Sequence, residues 1–266
     1  MTTATPTRAA GATRTGGTLS PVSFATLTLV EWRKQLDTRA GRWIVAVIAI
    51  VTAGVLAVMM AVGGGDHSFS AFVVGTTMPM AMLLPIVGVL AATSEWSQRT
   101  ALVTFTLEPR RTRVGLAKVV GAIGSGVALL VVTVGLAALA HVLVVAFRDA
   151  TPAWDATGAL VGGLAITTVL YMAQGVGFGL LLRSTPGAIV TLFLAPTLFN
   201  LLGGLVPGMV DVLPWVDLTT AAMPLTGLTW PDGAGWAHLA TSTLIWVVAP
   251  LVGGLWRTAR SEISSS

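Results

Sequence analysis

Residues 43 to 62 read WIVAVIAIVTAGVLAVMMAV, a run of 20 residues without a charged side chain or a proline. A helix rises about 1.5 Å per residue and a bilayer's hydrocarbon core is roughly 30 Å thick, so such a run is long enough to cross a membrane. Working outward, five further stretches lack Asp, Glu, Lys and Arg: 70 to 93, 119 to 147, 158 to 182, 186 to 206 and 238 to 256. The expected fold is an all-α membrane protein with six transmembrane helices over these ranges. Composition agrees, with 54% apolar residues, 10% charged residues and a mean hydropathy of +0.84, which excludes a water-soluble globular domain.

Charge distribution orients the chain. With the N-terminus placed in the cytoplasm, 14 of the 15 basic side chains fall on the inner side and only Arg148 falls outside. Positive charge marks the cytoplasmic side, so both termini are expected there and the bilayer is expected to be the plasma (inner) membrane. The formal charge of +4 and pI near 10.6 are then a topology signal, and no nucleic-acid partner is expected. Cysteine is absent, which excludes disulfides, thiolate metal sites and cysteine nucleophiles.

Residues 1 to 20 are rich in Thr, Ala and Gly and read as a disordered cytoplasmic tail, and 258 to 266 as a second tail. Ser20-Pro21 is a helix-start signal. Val22, Ala25, Leu29, Trp32 and Leu36 follow at spacings of three and four, opposite Arg33, Lys34 and Asp37. Residues 21 to 41 are therefore expected to form an amphipathic helix on the inner membrane surface, or else a cytoplasmic extension of the first span. The transmembrane domain then runs from 42 to 257.

The second span carries Pro79 and Pro85, which remove backbone hydrogen bonds and predict a kinked helix facing protein or a pathway. Gly121, Gly124, Ser125 and Gly126 predict close packing at the start of the third span, and Gly158 and Gly162 a small-residue contact in the fourth. His141 reads as a packed or hydrogen-bonded group and His67 as a solvated one. The fifth span contains Pro196, Asn200, Gly203 and Gly204. The proline- and tryptophan-rich stretch 207 to 237 suits short interfacial or re-entrant helices.

Residues 94 to 118, SEWSQRTALVTFTLEPRRTRVGLAK, form the one substantial cytoplasmic loop. Glu95 and Arg99 stand four apart and can pair on one helix face. The apolar patch around Phe105 and the basic edge of Arg110, Arg111 and Arg113 suit a docking element for a cytoplasmic partner, while the same arginines suit anionic lipid. No phosphate loop, H-E-x-x-H, G-x-S-x-G or intramembrane carboxylate pair is present, so an enzyme acting alone is not expected, nor a metal, nor ion-coupled transport.

From residue 22 to 256 the pattern resembles the permease subunit of type-2 ABC transporters. The resemblance rests on the entry helix with EWRKQ, the loop after the second span, six spans with both ends inside, the short RST link at 183 to 185 and the broken outer segment VLPWVDLTTAAMPL. Its most specific part matches Glu95, Thr100, Leu107, Pro109, Arg110, Arg111, Arg113 and Lys118, with Arg99 where the family often has glycine. The resemblance implies an exporter built from two six-span subunits, a second copy or a paralogue, with a pathway between them. Two copies of a separate ABC ATP-binding subunit would grip the loop and carry ATP and Mg, leaving this chain without a cofactor of its own. Glu95, Arg99, Thr100, Phe105, Arg110, Arg111 and Arg113 are then the candidate coupling residues. Thr76, Thr77 and Met80 of the second span, with Phe193 and Asn200 of the fifth, are the candidate pathway residues, since both spans carry mid-span proline beside polar groups. An ATP-independent channel or carrier, and a non-transporting scaffold or sensor, remain the other readings.

Overall fold

A computed structural model describes residues 22–62, 67–98, 104, 106, 108, 110–148 and 151–260. The described residues contain helices and no strand. They are α1 (Phe24–Asp37), α2 (Arg39–Ala61), α3 (Phe69–Ser97), α4 (Arg111–Arg148), α5 (Gly158–Leu182), α6 (Thr185–Leu205), α7 (Met209–Val216), α8 (Leu218–Ala222) and α9 (Gly233–Arg260). Six of these, α2 to α6 and α9, are long and apolar enough to cross a membrane, the make-up of a multi-pass membrane protein. The expected tail at 1 to 20 and the Ser20-Pro21 start signal lie outside the described residues.

Short polar side chains start the helices, because the first amides of a helix have no internal acceptor. Ser23 accepts from the Thr26 amide at α1, Ser68 from Ala71 at α3, Thr157 from Leu160 at α5 and Ser184 from Gly187 at α6. Thr38 alone separates α1 from α2, ending one helix through its amide and capping the next through its hydroxyl. This corner requires glycine at 41, since a Cβ there would lie 1.7 Å from the Gln35 carbonyl oxygen.

The bundle is built around α5, which packs on α3, α4 and α9. The crossing of α3 and α5 is close enough that a Cβ on Gly175 would stand 2.1 Å from the Pro85 carbonyl oxygen. Phe72, Val73, Leu84, Leu160, Met172 and Val176 fill the core around this contact. α3 continues as helix through Pro79 and Pro85. At the other extreme, α2 and α6 sit at the periphery and leave Ile50, Val58, Leu194, Leu198 and Leu201 exposed.

Two small-residue expectations resolve differently. Gly121 and Gly126 do admit close neighbours, α1 at the first and Met172 at the second, whereas Gly124 faces open space. Gly162 accommodates the Trp230 ring and Gly158 has nothing within 4 Å, so this pair makes no helix-helix seam. The reason is that Trp230 and the 3-10 turn at Met223–Thr226, from the stretch after α6, lie against α5 at Gly162 and Gly163, occupying the face that a neighbouring helix would have used. Within α9 a π-helical segment, Leu244–Val248, directs Trp246 onto Phe178, and the indole donates to the Val216 carbonyl.

Candidate functional site

α1 packs its polar face inward. Leu27, Glu31 and Gln35 are buried against the bundle, while Val22, Leu29, Trp32 and Leu36 are exposed. Inward-facing Glu31 meets the end of α3 and the start of α4, where Glu95 and Lys118 are also buried.

Four charges alternate in this junction. Lys118 Nζ stands 2.7 Å from Glu31 Oε2 and 3.3 Å from Glu95 Oε1. Lys34 Nζ stands 2.6 Å from Glu31 Oε1 and 3.2 Å from Glu95 Oε1. Each lysine thus bridges both carboxylates and the formal charges cancel, which is how Glu31, Glu95 and Lys118 tolerate removal from water. The Thr104 hydroxyl adds a donor to Glu95, and Ser125 donates to Gln35 Oε1 at 2.9 Å beside the network. For Lys34, burial acts to lower the pKa, but Glu31 and Glu95 outweigh it and hold the ammonium above its ordinary value. With every member committed to a partner of opposite sign, the cluster offers no free base or nucleophile. Its capacity is mechanical, joining α1, α3 and α4.

Between α3 and α4, Glu108 is held in place: Arg113 of α4 binds it at 2.8 Å and reaches the Val22 carbonyl at 2.7 Å, linking Glu108 to the start of α1. Beside it Arg183 lies over the Trp96 ring, 4.4 Å from its centroid, and donates to the Arg257 carbonyl. Arg183 ends α5 in the left-handed region at φ 53. Burial, with Arg257 and Arg111 nearby, lowers its pKa.

Of the expected coupling residues, Glu95 is inside the four-charge network and is paired there with Lys34 and Lys118. Arg99, Thr100 and Phe105 lie outside the described residues, and so does the expected pairing of Glu95 with Arg99. Arg110 is exposed, Arg111 opens α4 half-buried, and Arg113 is engaged with Glu108. The expected pathway residues fall into two groups. Thr76, Thr77 and Met80 are buried within the chain, the threonines donating to the Phe72 and Val73 carbonyls and Met80 sulfur accepting from Thr133. Phe193 and Asn200 lie on the exposed side of α6, where Asn200 donates to the Pro196 carbonyl. The two groups do not meet within one chain. The outward faces of α3 and α6 present Met78 and Met82 on one and Phe193, Leu194 and Leu198 on the other.

Sequence reasoning missed Glu31. The stripe Leu27, Glu31, Gln35 repeats every four residues, but its polar members enter the sequence reading only as part of EWRKQ, with no role of their own. The usable signal was the demand from Lys118, a lysine at the edge of an apolar run with no acid near it in sequence.

The opposite end of the bundle is also stapled. Asp155 accepts from the Ser70 amide at 2.9 Å and from its hydroxyl at 2.6 Å, so it caps α3 from a distant loop. These bonds lower the Asp155 pKa. His141 is fully buried, with Nδ1 2.8 Å from the His67 carbonyl oxygen and its ring against Trp154, and His67 is half-buried instead of solvated. From Ser70 to Glu95, α3 spans roughly 37 Å, so the two polar ends stand farther apart than a hydrocarbon core is thick. No family model, curated protein or solved structure matches the chain.

Proposed function

We propose that the chain is the permease subunit of an ATP-driven ABC exporter, working as a pair with a second copy or a paralogue. In this reading both termini and the four-charge end face the cytoplasm, the bilayer is the plasma membrane, and α1 lies at the inner interface. Two copies of an ATP-binding subunit, carrying ATP and Mg, dock on the segment between α3 and α4.

The observation that carries the reading is the Glu31, Lys34, Glu95 and Lys118 network. It fixes the end of α3, the start of α4 and the entry helix to one another on the side where the basic residues concentrate. A push on the intervening segment is therefore delivered to α3, and through its tight crossing with α5 to the core, instead of being lost in a slack loop. The exposed apolar outward face of α1 suits the lipid interface, and the uncovered outward faces of α3 and α6 suit contact with a second subunit across a pathway.

The test is to look for an ATP-binding subunit encoded beside this chain and to coexpress the two, followed by copurification and ATP turnover in lipid. Stoichiometric copurification with turnover that responds to added transport substrates supports the reading. A chain that purifies alone and passes solutes without ATP fits the channel or carrier reading, and one that passes nothing fits a scaffold.

A further inference from the structure

A cavity of ≈ 150 Å³ lies beside the four-charge network, walled by α1, α2, α3 and α4. Its lining is mixed: Glu31, Lys34, Gln35, Thr38, Ser94 and Ser125 are polar, and Ile44, Val45, Val87, Leu90, Leu129 and Val132 are apolar. Trp32, Leu36 and Val132, which also line it, are exposed apolar side chains. A dry cavity of this size holds a group as large as benzene, so it admits a segment of one acyl chain and excludes a whole hydrophilic solute.

Glu31 and Lys34 balance within the cavity, and the basic bias lies outside it, at the α1–α2 corner. Arg33, Arg39 and Arg42 are exposed at the α1–α2 corner and take part in no ion pair among the described residues, against one exposed acid there, Asp37. An ammonium has three donors, and Lys34 directs two of them at Glu31 and Glu95. A phosphate placed at the corner lies among these arginines and beside the remaining lysine donor, while a chain attached to it enters the apolar part of the cavity.

We infer that this cavity binds one acidic phospholipid, its phosphate at the α1–α2 corner and part of one acyl chain between α3 and α4. The lipid wedges the entry helix against the bundle at the side of the four-charge network. This inference rests on the six helices crossing a membrane and is independent of the exporter reading, since it needs neither a partner nor ATP.

The experiment uses the full chain in phosphatidylcholine vesicles doped with phosphatidylglycerol carrying a diazirine in one acyl chain, with crosslinked peptides mapped by mass spectrometry. Labelling is expected on the peptides containing Leu90 and Leu129 to Val132. Ala128 lines the cavity yet is exposed, so Ala128→Trp plugs it without entering the packed core and should abolish this labelling. Arg39→Gln with Arg42→Gln should lower it about fivefold or more for each arginine that reaches the phosphate. The matched phosphatidylcholine probe should label these peptides far less. Unchanged labelling in Ala128→Trp overturns the site, and equal labelling by the two probes, or indifference to the arginine substitutions, overturns the acidic headgroup. The thermal midpoint of each variant in detergent, expected at the wild-type value, separates loss of the site from loss of the fold.

Discussion

Lys118 and Glu31 meet at 2.7 Å between α4 and α1, with both side chains only 3% exposed. Burying two ions is costly and their mutual attraction offsets that cost only while both are present. Lys118→Met leaves carboxylates in an apolar junction with one cation, Lys34, to serve them. A loss of about 3 kcal/mol or more is expected, in the range for breaking a buried pair. Lys34→Met should cost less, because that side chain is 38% exposed and water screens what it leaves behind. Thermal denaturation in detergent checks the order of the two variants, and equal losses would mean that the network is not buried in solution.

The crossing of α3 and α5 gives a second comparison. Gly175→Ala sets a methyl group against the Pro85 carbonyl oxygen, backbone that cannot swing aside, whereas Gly124→Ala enters open space on α4. The first should destabilise by about 1–3 kcal/mol or more and the second should be neutral or slightly stabilising, since alanine is the better helix former. The same denaturation assay reads both.

Acid should release the Asp155 staple. The two bonds from Ser70 lower its pKa, so its contribution is present above the ordinary aspartate range and is lost as pH falls through the lowered folded value. Lys34 runs the other way. Its raised pKa means a contribution present below the ordinary lysine range and lost as pH rises through the higher folded value. The stability gap between wild type and Asp155→Asn should therefore narrow toward acid pH, and the gap to Lys34→Met should narrow only in strong alkali. A gap to Asp155→Asn that stays constant down to pH values well below the ordinary carboxylate range would show that the carboxylate is not held by Ser70.

The six spans were legible because uncharged runs long enough to cross a bilayer leave few alternatives, and the short helices after residue 207 because proline interrupts that stretch repeatedly. The site was half legible. Glu95 and the arginines stood out by lying in a polar loop between apolar runs, and the local rule for charges four apart offered Glu95 a partner in Arg99. Arg99 lies outside the described residues, and among those described the partners of Glu95 come from residues 34 and 118, because two separate helices converge on it. Amphipathic periodicity divides α1 into two faces but does not say which one is buried; Leu27, Glu31 and Gln35 turn inward while Leu29, Trp32 and Leu36 are exposed. Gly162 misled for a related reason, since its space is taken by Trp230 from a segment that sequence spacing does not bring near.

Orientation can be read chemically because the native chain has no cysteine. With both termini inside, Leu228→Cys should react with a membrane-impermeant thiol reagent on intact cells, and Thr112→Cys should react only after the membrane is opened. Both positions are exposed, so protection reports the membrane and not packing. External labelling at Thr112 would invert the topology and move the docking segment to the wrong side for ATP.

The most direct measurement for the exporter reading is copurification of the ATP-binding subunit, together with its substrate-stimulated turnover, from wild type and from Phe105→Asp. A carboxylate introduced at the apolar patch of the segment before α4 places an unpaired charge in the docking contact while leaving the six spans untouched. Wild type should bring the ATP-binding subunit down in equal amount, and Phe105→Asp should lose both the subunit and the stimulated turnover while still inserting normally. A wild-type chain that never retains the subunit, or a Phe105→Asp variant that keeps both at wild-type levels, would contradict coupling through this segment.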